Sequence, residues 1–312
     1  EDAAATYRRL LAIRPTADAH QKLAEVLTRL GRTSEAREQM ELAKALGQRA
    51  VSDQTRDNPG ISVKLSALHP RYETLQRERC VPVLVERLLI LARRASELKL
   101  GLNIDAEEAY RLGLSLDMLE MVLSDPRLAG WDGFGIVVQA FGKRASFVLD
   151  WLYALVTQLD RKIMVRLVKG AYWDTEIKNA QKDGLPHFPV FTRKAATDVS
   201  YKACAIKLMQ YRDTIFPQFA THNAYTAATI IEMAEGNTEG FEFQRLHGMG
   251  ESLYDQIVTQ DKIQCRVYAP VGSHKDLLPY LVRRLLENGA NTSFVNRIID
   301  ESIDVDDIIA DP

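Results

Sequence analysis

From residue 60 to about residue 270 the chain alternates between two hydrophobic rhythms. Short apolar runs with a period near two predict strands at 61–66, 100–105, 134–140, 163–169, 218–223, 241–247 and 265–269. Stretches with apolar residues three and four apart predict helices between them, including 81–98, 110–123, 145–158, 192–210 and 225–234. Regular strand–helix repetition predicts an α/β fold with a parallel sheet. The expected architecture is a distorted (β/α)8-type barrel lacking one strand, with an open parallel sheet as the alternative.

Residues 1–50 carry the helical rhythm alone. Tyr7–Pro15, Ala19–Gly31 and Ser34–Leu46 repeat apolar residues at helical spacing, with Pro15 and Gly31 as punctuation. They resemble one tetratricopeptide-type hairpin with a third helix, or ordinary helices flanking the main domain. A single hairpin cannot bury its own apolar face, so the segment is expected to pack on something else. Residues 51–59 are polar and end in Asn58-Pro59-Gly60, a turn signal that marks a connector. The expected organisation is a helical segment at 1–50, a connector at 51–59, a barrel at 60–300 and a tail at 301–312.

Polar residues interrupt the strands in an ordered way. Ser62, Lys64 and Ser66 share one side of the first strand, and Asn103 and Asp105 one side of the second. Gln139 ends the third strand and Arg166 lies late in the fourth. Thr221, His222 and Asn223 end the fifth, Gln244 lies in the sixth and Tyr268 in the seventh. Parallel strands covered by helices are usually apolar throughout. Polar side chains near the C-terminal end of so many strands predict a functional site there, where β/α barrels build their active sites.

Farther on, Tyr280, Arg284, Glu287 and Asn291 fall on one face of a predicted helix, with Arg283 beside it. Two adjacent guanidiniums and a phenol suit a small carboxylate, because arginine presents a planar fork of donors. A solvated face with an Arg283–Glu287 pair is the alternative. Lys64, Arg166, Arg283 and Arg284 outnumber the nearby acids Asp105 and Glu287, which asks for an anionic ligand. Lys169-Gly170 and Thr192-Arg193-Lys194 add donors suited to phosphate, and Gly170 lets backbone come close.

Composition narrows the remaining classes. The chain has 312 residues, 46% hydrophobic and 26% charged, with net charge −2. A pI of about 6.4 offers no basic footprint for nucleic acid. No apolar run approaches the roughly 18 residues of a membrane span, and no signal peptide is evident. Cys80, Cys204 and Cys265 are scattered, which fits reduced thiols in a cytosol. No GxGxxG opens a helix after a strand, so a Rossmann dinucleotide site is disfavoured. His222, His247 and Asp105 end separate strands, so a metal-dependent barrel hydrolase stays open as an alternative, without an assigned metal ligand. Ser66 lacks a nucleophile motif.

Seven segments together carry a family resemblance: Gly60–Tyr72, Asn103–Glu108, Val165–Asp174, Phe219–Ala224, Leu246–Gly250, Tyr268–Gly272 and Arg283–Asn296. From about residue 57 onward the chain resembles the proline dehydrogenase domain of bacterial proline utilization A. The resemblance implies a distorted β/α barrel that binds FAD and oxidises L-proline to Δ1-pyrroline-5-carboxylate. It implies a quinone as electron acceptor and a peripheral contact with the membrane from the cytoplasmic side. Two departures stand out. The chain ends at Pro312, so the aldehyde dehydrogenase activity of the bifunctional family is expected to be absent. A strand of Tyr-Ser-Tyr-Asp-Met-Leu-Gly type, which precedes the match in the family, is not found, and residues 1–50 stand in its place.

The resemblance also implies roles. Lys64, Arg283 and Arg284 bind the proline carboxylate, and Asp105 positions these cations. Tyr172, Leu246, Tyr268 and Tyr280 wall the ring. Gln139 meets the flavin and Arg166 lies near its N5. Lys169, Gly170, Thr192, Arg193, Lys194, Thr221, His222 and Asn223 hold the rest of FAD, Trp173 and Phe294 pack on it, and Gln244 and Glu287 complete the set. FAD is expected to be noncovalent. A helical-repeat binding module built on residues 1–50, with an inert barrel, is the third functional class.

Overall fold

The computed structural model describes residues 52–269 together with Leu278, Tyr280 and Val282. The helices expected within 1–50 and the tail at 301–312 lie outside the described residues.

Seven strands form one sheet in the order β1 to β7: Gly60–Val63, Gly101–Ile104, Phe134–Gln139, Ile163–Val168, Ile215–Ala220, Glu242–Leu246 and Cys265–Tyr268. Every registered pair from β2 to β7 is parallel. Sequential parallel strands joined by helices are the arrangement of a TIM-type barrel, open here because no β1–β7 pairing occurs among the described residues.

The connecting helices include α1 (Leu65–Leu68), α2 (Arg77–Glu97), α3 (Leu112–Leu123) and α4 (Ala145–Leu159). They continue with α5 (Trp173–Lys182), α6 (Lys194–Gln210), α7 (Ala224–Met233) and α8 (Glu251–Gln256). All seven predicted strands are present, with three corrections. Strand β1 ends at Val63, and Leu65 begins a helical turn instead of continuing the alternation. Helix α2 starts at Arg77, four residues before the prediction, and carries Pro82 inside it. Proline removes the helix hydrogen bond that an N–H at 82 would make to the Glu78 carbonyl. Strand β5 starts at Ile215, three residues early. Pro217 argues against a strand in sequence, yet the buried Ile215 and Phe219 hold the segment in the sheet.

The residues fall into two compact units. One contains 52–61 and 93–101. There Asn58 is buried and its side-chain amide donates to the carbonyls of Ser52 and Lys99, at 2.8 and 2.9 Å. Lys99 also pairs with Asp53. These bonds tie the connector to the chain that follows α2. The other unit contains 62–92 and 102–268.

Within the second unit the strand alternation separates two faces. Leu102, Ile104, Phe134, Val165, Leu167, Phe219 and Phe243 are buried on one face. Phe219, Phe241, Phe243 and Tyr254 form a chain of ring contacts with centroids 5.7–6.3 Å apart. The opposite face carries polar side chains.

Candidate active site

On the polar face the register brings distant residues side by side. Arg166 of β4 is level with Gln218 of β5, Gln218 with Glu242 of β6, and Gln244 with Arg266 of β7. Leu246 is level with Tyr268. Asp105 follows β2 directly, its N–H bonded to the Val63 carbonyl at 2.8 Å.

Arg166 is the centre of this face. Its Nη1 donates to Asp105 Oδ1 at 3.1 Å, its Nη2 to Ser62 Oγ at 2.7 Å, and its Nε to Gln244 Oε1 at 2.6 Å. The guanidinium carbon also lies 4.9 Å from the centroid of the Tyr268 ring. A buried cation needs this degree of pairing, because leaving it uncompensated costs several kcal/mol. Three of its five N–H donors are used in these bonds, and two make none with the described residues.

A second layer of side chains supports the first. Glu242 accepts from Gln218, Gln244 and Arg266. Gln218 in turn accepts from Asn103 Nδ2 at 2.9 Å. Asn103 belonged to the polar pattern read along the strands, whereas Glu242, Gln218 and Arg266 were not expected as site residues. The period of two could have exposed them, since Glu242–Gln244 and Arg266–Tyr268 repeat at strand spacing. Starting β5 at residue 218 hid Gln218 as an interior position.

Gln139, Leu246 and Tyr268 are the last residues of β3, β6 and β7, and several other predicted residues occupy the loops that leave the strands. Gln139 donates to the Glu107 carbonyl at 3.1 Å and accepts from the Ala171 N–H at 2.9 Å. It therefore joins the loops after β2 and β4. Lys64 is half-buried and reaches the Ala106 carbonyl at 3.5 Å. Lys169 and Lys194 both pair with Asp198 of α6. Burial lowers the Lys169 ammonium below the ordinary lysine value, against the pull of Asp198. Burial pushes the Asp198 carboxyl up, but its hydrogen bonds from Lys169 and Lys194 outweigh this and hold it below the ordinary value. Sequence reading missed Asp198, although its distance of four from Lys194 on a helix is a pairing signal.

Some predicted residues have local structural work. Asn223 caps α7, accepting from the Thr226 N–H at 2.8 Å. His222 Nε2 accepts from the Leu246 N–H at 3.0 Å, which leaves the proton of a neutral ring on Nδ1. Thr221 is buried, its hydroxyl oxygen bonded to the Asn223 N–H at 3.1 Å. Trp173 donates to the Phe191 carbonyl at 2.7 Å. Thr192 and Arg193 are exposed beside the start of α6. Tyr172 is exposed and left-handed, at φ 65°, a costly conformation for a bulky residue and one that clusters at functional sites. Tyr280 is helical and half-buried. Arg283, Arg284, Glu287, Asn291 and Phe294 lie outside the described residues.

Close by, Glu176 accepts from the Ala109 N–H at 2.7 Å. Burial raises its carboxyl above the ordinary value, and that N–H offsets part of the shift. Among the described residues no group of three or more His, Cys, Asp and Glu side chains could hold a metal ion, and no helix is long and apolar enough to cross a membrane.

Comparison with known proteins adds the family. The chain is 56% identical over 263 residues to the bifunctional protein PutA of Escherichia coli, covering 82% of this chain and 20% of that protein. It is 57% identical over 260 residues to PutA of Rhizobium meliloti, covering 82% of this chain and 21% of that one. A crystal structure of a Bradyrhizobium japonicum proline utilization A variant superposes with a TM-score of 0.86 at 54% identity, over 99% of this chain and 29% of that chain. Proline utilization A from Bdellovibrio bacteriovorus, solved after inactivation by N-propargylglycine, superposes with a TM-score of 0.82 at 28% identity, covering 100% of this chain and 31% of that one. The chain thus spans about a fifth of the length of these curated relatives. The family model for proline dehydrogenase matches residues 12–297, beginning well before the motif resemblance at about residue 57. With that match over most of its length, the chain belongs to the proline dehydrogenase family, which is flavin-dependent.

Proposed function

We propose that this chain oxidises L-proline to Δ1-pyrroline-5-carboxylate with noncovalent FAD and passes the electrons to a quinone. The observation that carries the reading is Arg166, buried at the strand ends of a proline dehydrogenase-family sheet and held by Asp105, Ser62 and Gln244 under the Tyr268 ring.

The residues present fit an anionic flavin dinucleotide. Helix α6 starts without a side-chain cap, so its first N–H groups are available, and the exposed Thr192 and Arg193 stand beside them. Gly170 follows Lys169 just past the end of β4 and presents backbone without a side chain there. Arg193, Lys194, Lys169, Thr192, Thr221, His222 and Asn223 would hold the phosphate and adenosine portions. Gln139, Gln244 and the two remaining N–H donors of Arg166 would face the ring system. When bound, FAD would supply the electron acceptor for a hydride equivalent lost from the proline ring carbon beside nitrogen.

The chain's own groups prepare the substrate. Lys64, Arg283 and Arg284 pair with the carboxylate, and each charge-assisted bond contributes roughly 1.5–3 kcal/mol. These cations also disfavour a protonated amine, which frees the nitrogen lone pair to assist loss of the hydride. Asp105 compensates their charge. Tyr172, Leu246, Tyr268 and Tyr280 wall the pyrrolidine ring and exclude water. The electrons leave to a quinone through a peripheral contact with the cytoplasmic face of the membrane. The catalytic unit is assigned to residues 60–300.

The test is optical. Purified protein, incubated with FAD if needed, is expected to be yellow and to bleach anaerobically on addition of L-proline. The flavin should be released by acid precipitation. N-propargylglycine is expected to inactivate it. Protein that stays colourless after incubation with FAD overturns the reading.

A further inference from the structure

The Nε side of Arg166 rests on an amide oxygen, that of Gln244, at 2.6 Å. A glutamine amide has two ends of almost equal shape and opposite hydrogen-bonding character. Only the oxygen end can serve Arg166. The choice between the ends is made one bond deeper, at Glu242.

Glu242 is two residues before Gln244 on the same face of β6 and is 1% exposed. Its Oε1 accepts from Gln244 Nε2 at 2.7 Å, from Gln218 Nε2 at 2.9 Å and from Arg266 Nε at 2.8 Å. Its Oε2 accepts from Arg266 Nη2 at 2.9 Å. A carboxylate gripped by an arginine fork offers acceptors only. Gln244 must then turn its NH2 toward Glu242, and its oxygen toward Arg166. An amide at position 242 removes that constraint. With its oxygen at the Oε1 place, its NH2 would meet the Arg266 Nη2 donor; turned over to relieve that, its NH2 would meet Gln218, Gln244 and Arg266 Nε, all donors. Gln244 could then flip and set N–H against N–H at Arg166.

We propose that Glu242 is a positioning residue for the oxidation. It fixes the polarity of the Gln244 amide, and through it the plane of the Arg166 guanidinium against Asp105, Ser62 and Tyr268. Its kinetic consequence rests on the proline-oxidising reading of the site; its effect on Arg166 does not.

The test compares wild type, Glu242→Gln and Gln218→Met as full-length, flavin-loaded protein. Gln218→Met removes one neighbour of Glu242 and the bond to Asn103 but leaves the Glu242–Gln244–Arg166 chain. For Glu242→Gln, kcat with proline is expected to fall about 10- to 100-fold, the range in which supporting hydrogen-bond partners of a working group act. Its KM should stay within about twofold, because Lys64, Arg283 and Arg284 are untouched. Gln218→Met should lose stability while keeping kcat within about twofold.

A second readout needs no substrate. The Arg166 Nε–H signal in a 1H–15N spectrum, assigned by its loss in Arg166→Lys, should be protected from exchange in wild type and Gln218→Met. In Glu242→Gln it should exchange at least about tenfold faster. Wild-type values in either readout for Glu242→Gln overturn the proposal, as does an equal fall in kcat for Gln218→Met. If wild type fails to oxidise proline, the proposed function falls and the exchange measurement alone decides the role of Glu242. Should Glu242→Gln not fold, Glu242→Asp keeps the charge and draws the acceptor back by one methylene. The same two changes are expected there to a smaller degree, and a folded Glu242→Asp with wild-type kcat and exchange overturns the proposal.

Discussion

Gly170 sits at φ 140°, where a side chain is strained, and a Cβ there would come within 2.5 Å of the Phe141 ring. Gly170→Ala is therefore expected to cost about 1–3 kcal/mol, from strain and a displaced ring together. Urea unfolding measures this directly, and an unchanged midpoint would mean that Phe141 yields without cost. Arg284 raises a different question, since its assignment rests on motif and helical spacing. Arg284→Met should raise the KM for proline about 10- to 150-fold, the equivalent of one charge-assisted bond of roughly 1.5–3 kcal/mol. Flavin should remain bound. A wild-type KM would mean that this helix face looks to solvent.

The elements differ in what holds them. Strand β6 presents Phe243 to the apolar side, fully buried among Phe219, Phe241 and Tyr254. Phe243→Ala should destabilise by about 3–5 kcal/mol, the usual cost of removing a buried aromatic ring. A loss below about 1 kcal/mol, read from chemical denaturation, would contradict that packing. Helix α6 is held at its start by charge. Asp198 pairs there with Lys169 and Lys194, and its carboxyl is held below the ordinary 3.8. A depressed acid stabilises the fold above its unfolded value, and this contribution disappears as pH falls through the lower folded value. The Tm gap between wild type and Asp198→Asn is thus expected to be widest near neutrality and to close in acid below the ordinary carboxylate range. A gap that does not change with pH would rule out the ion-pair origin.

Taken as one molecule, the protein hides its thiols. Cys80 and Cys204 are buried and Cys265 is half-buried. Burial pushes the Cys265 thiol up to about 11, and burial raises Cys204 as well. Thiolates are the reactive form, so a disulfide reagent at pH 8 should label native protein slowly and titrate all three cysteines in denaturant. Labelling of Cys265 should accelerate as pH rises toward its raised value. Fast stoichiometric labelling of the native state at pH 8 would show that the sheet opens readily around these positions.

The alternation of apolar and polar residues was enough to locate seven strands and to mark Asp105, Gln139, Arg166 and Gln244 as unusual for buried sheet. That information is local, because side-chain direction along a strand depends only on its period of two. Helical spacing also holds the Lys194–Asp198 pair within four residues, a local signal that the sequence reading passed over. The partners of Arg166 were not legible, being 61, 78 and 104 residues away in the chain. Which polar groups meet depends on strand order and on the register of each parallel neighbour, and neither leaves a trace in one strand's own residues. The role of Glu242 depends on that register most of all. In sequence it is one acid at a strand start; in the sheet it is a carboxylate shared by three strands, with its charge matched by Arg266 and its geometry passed on to Arg166.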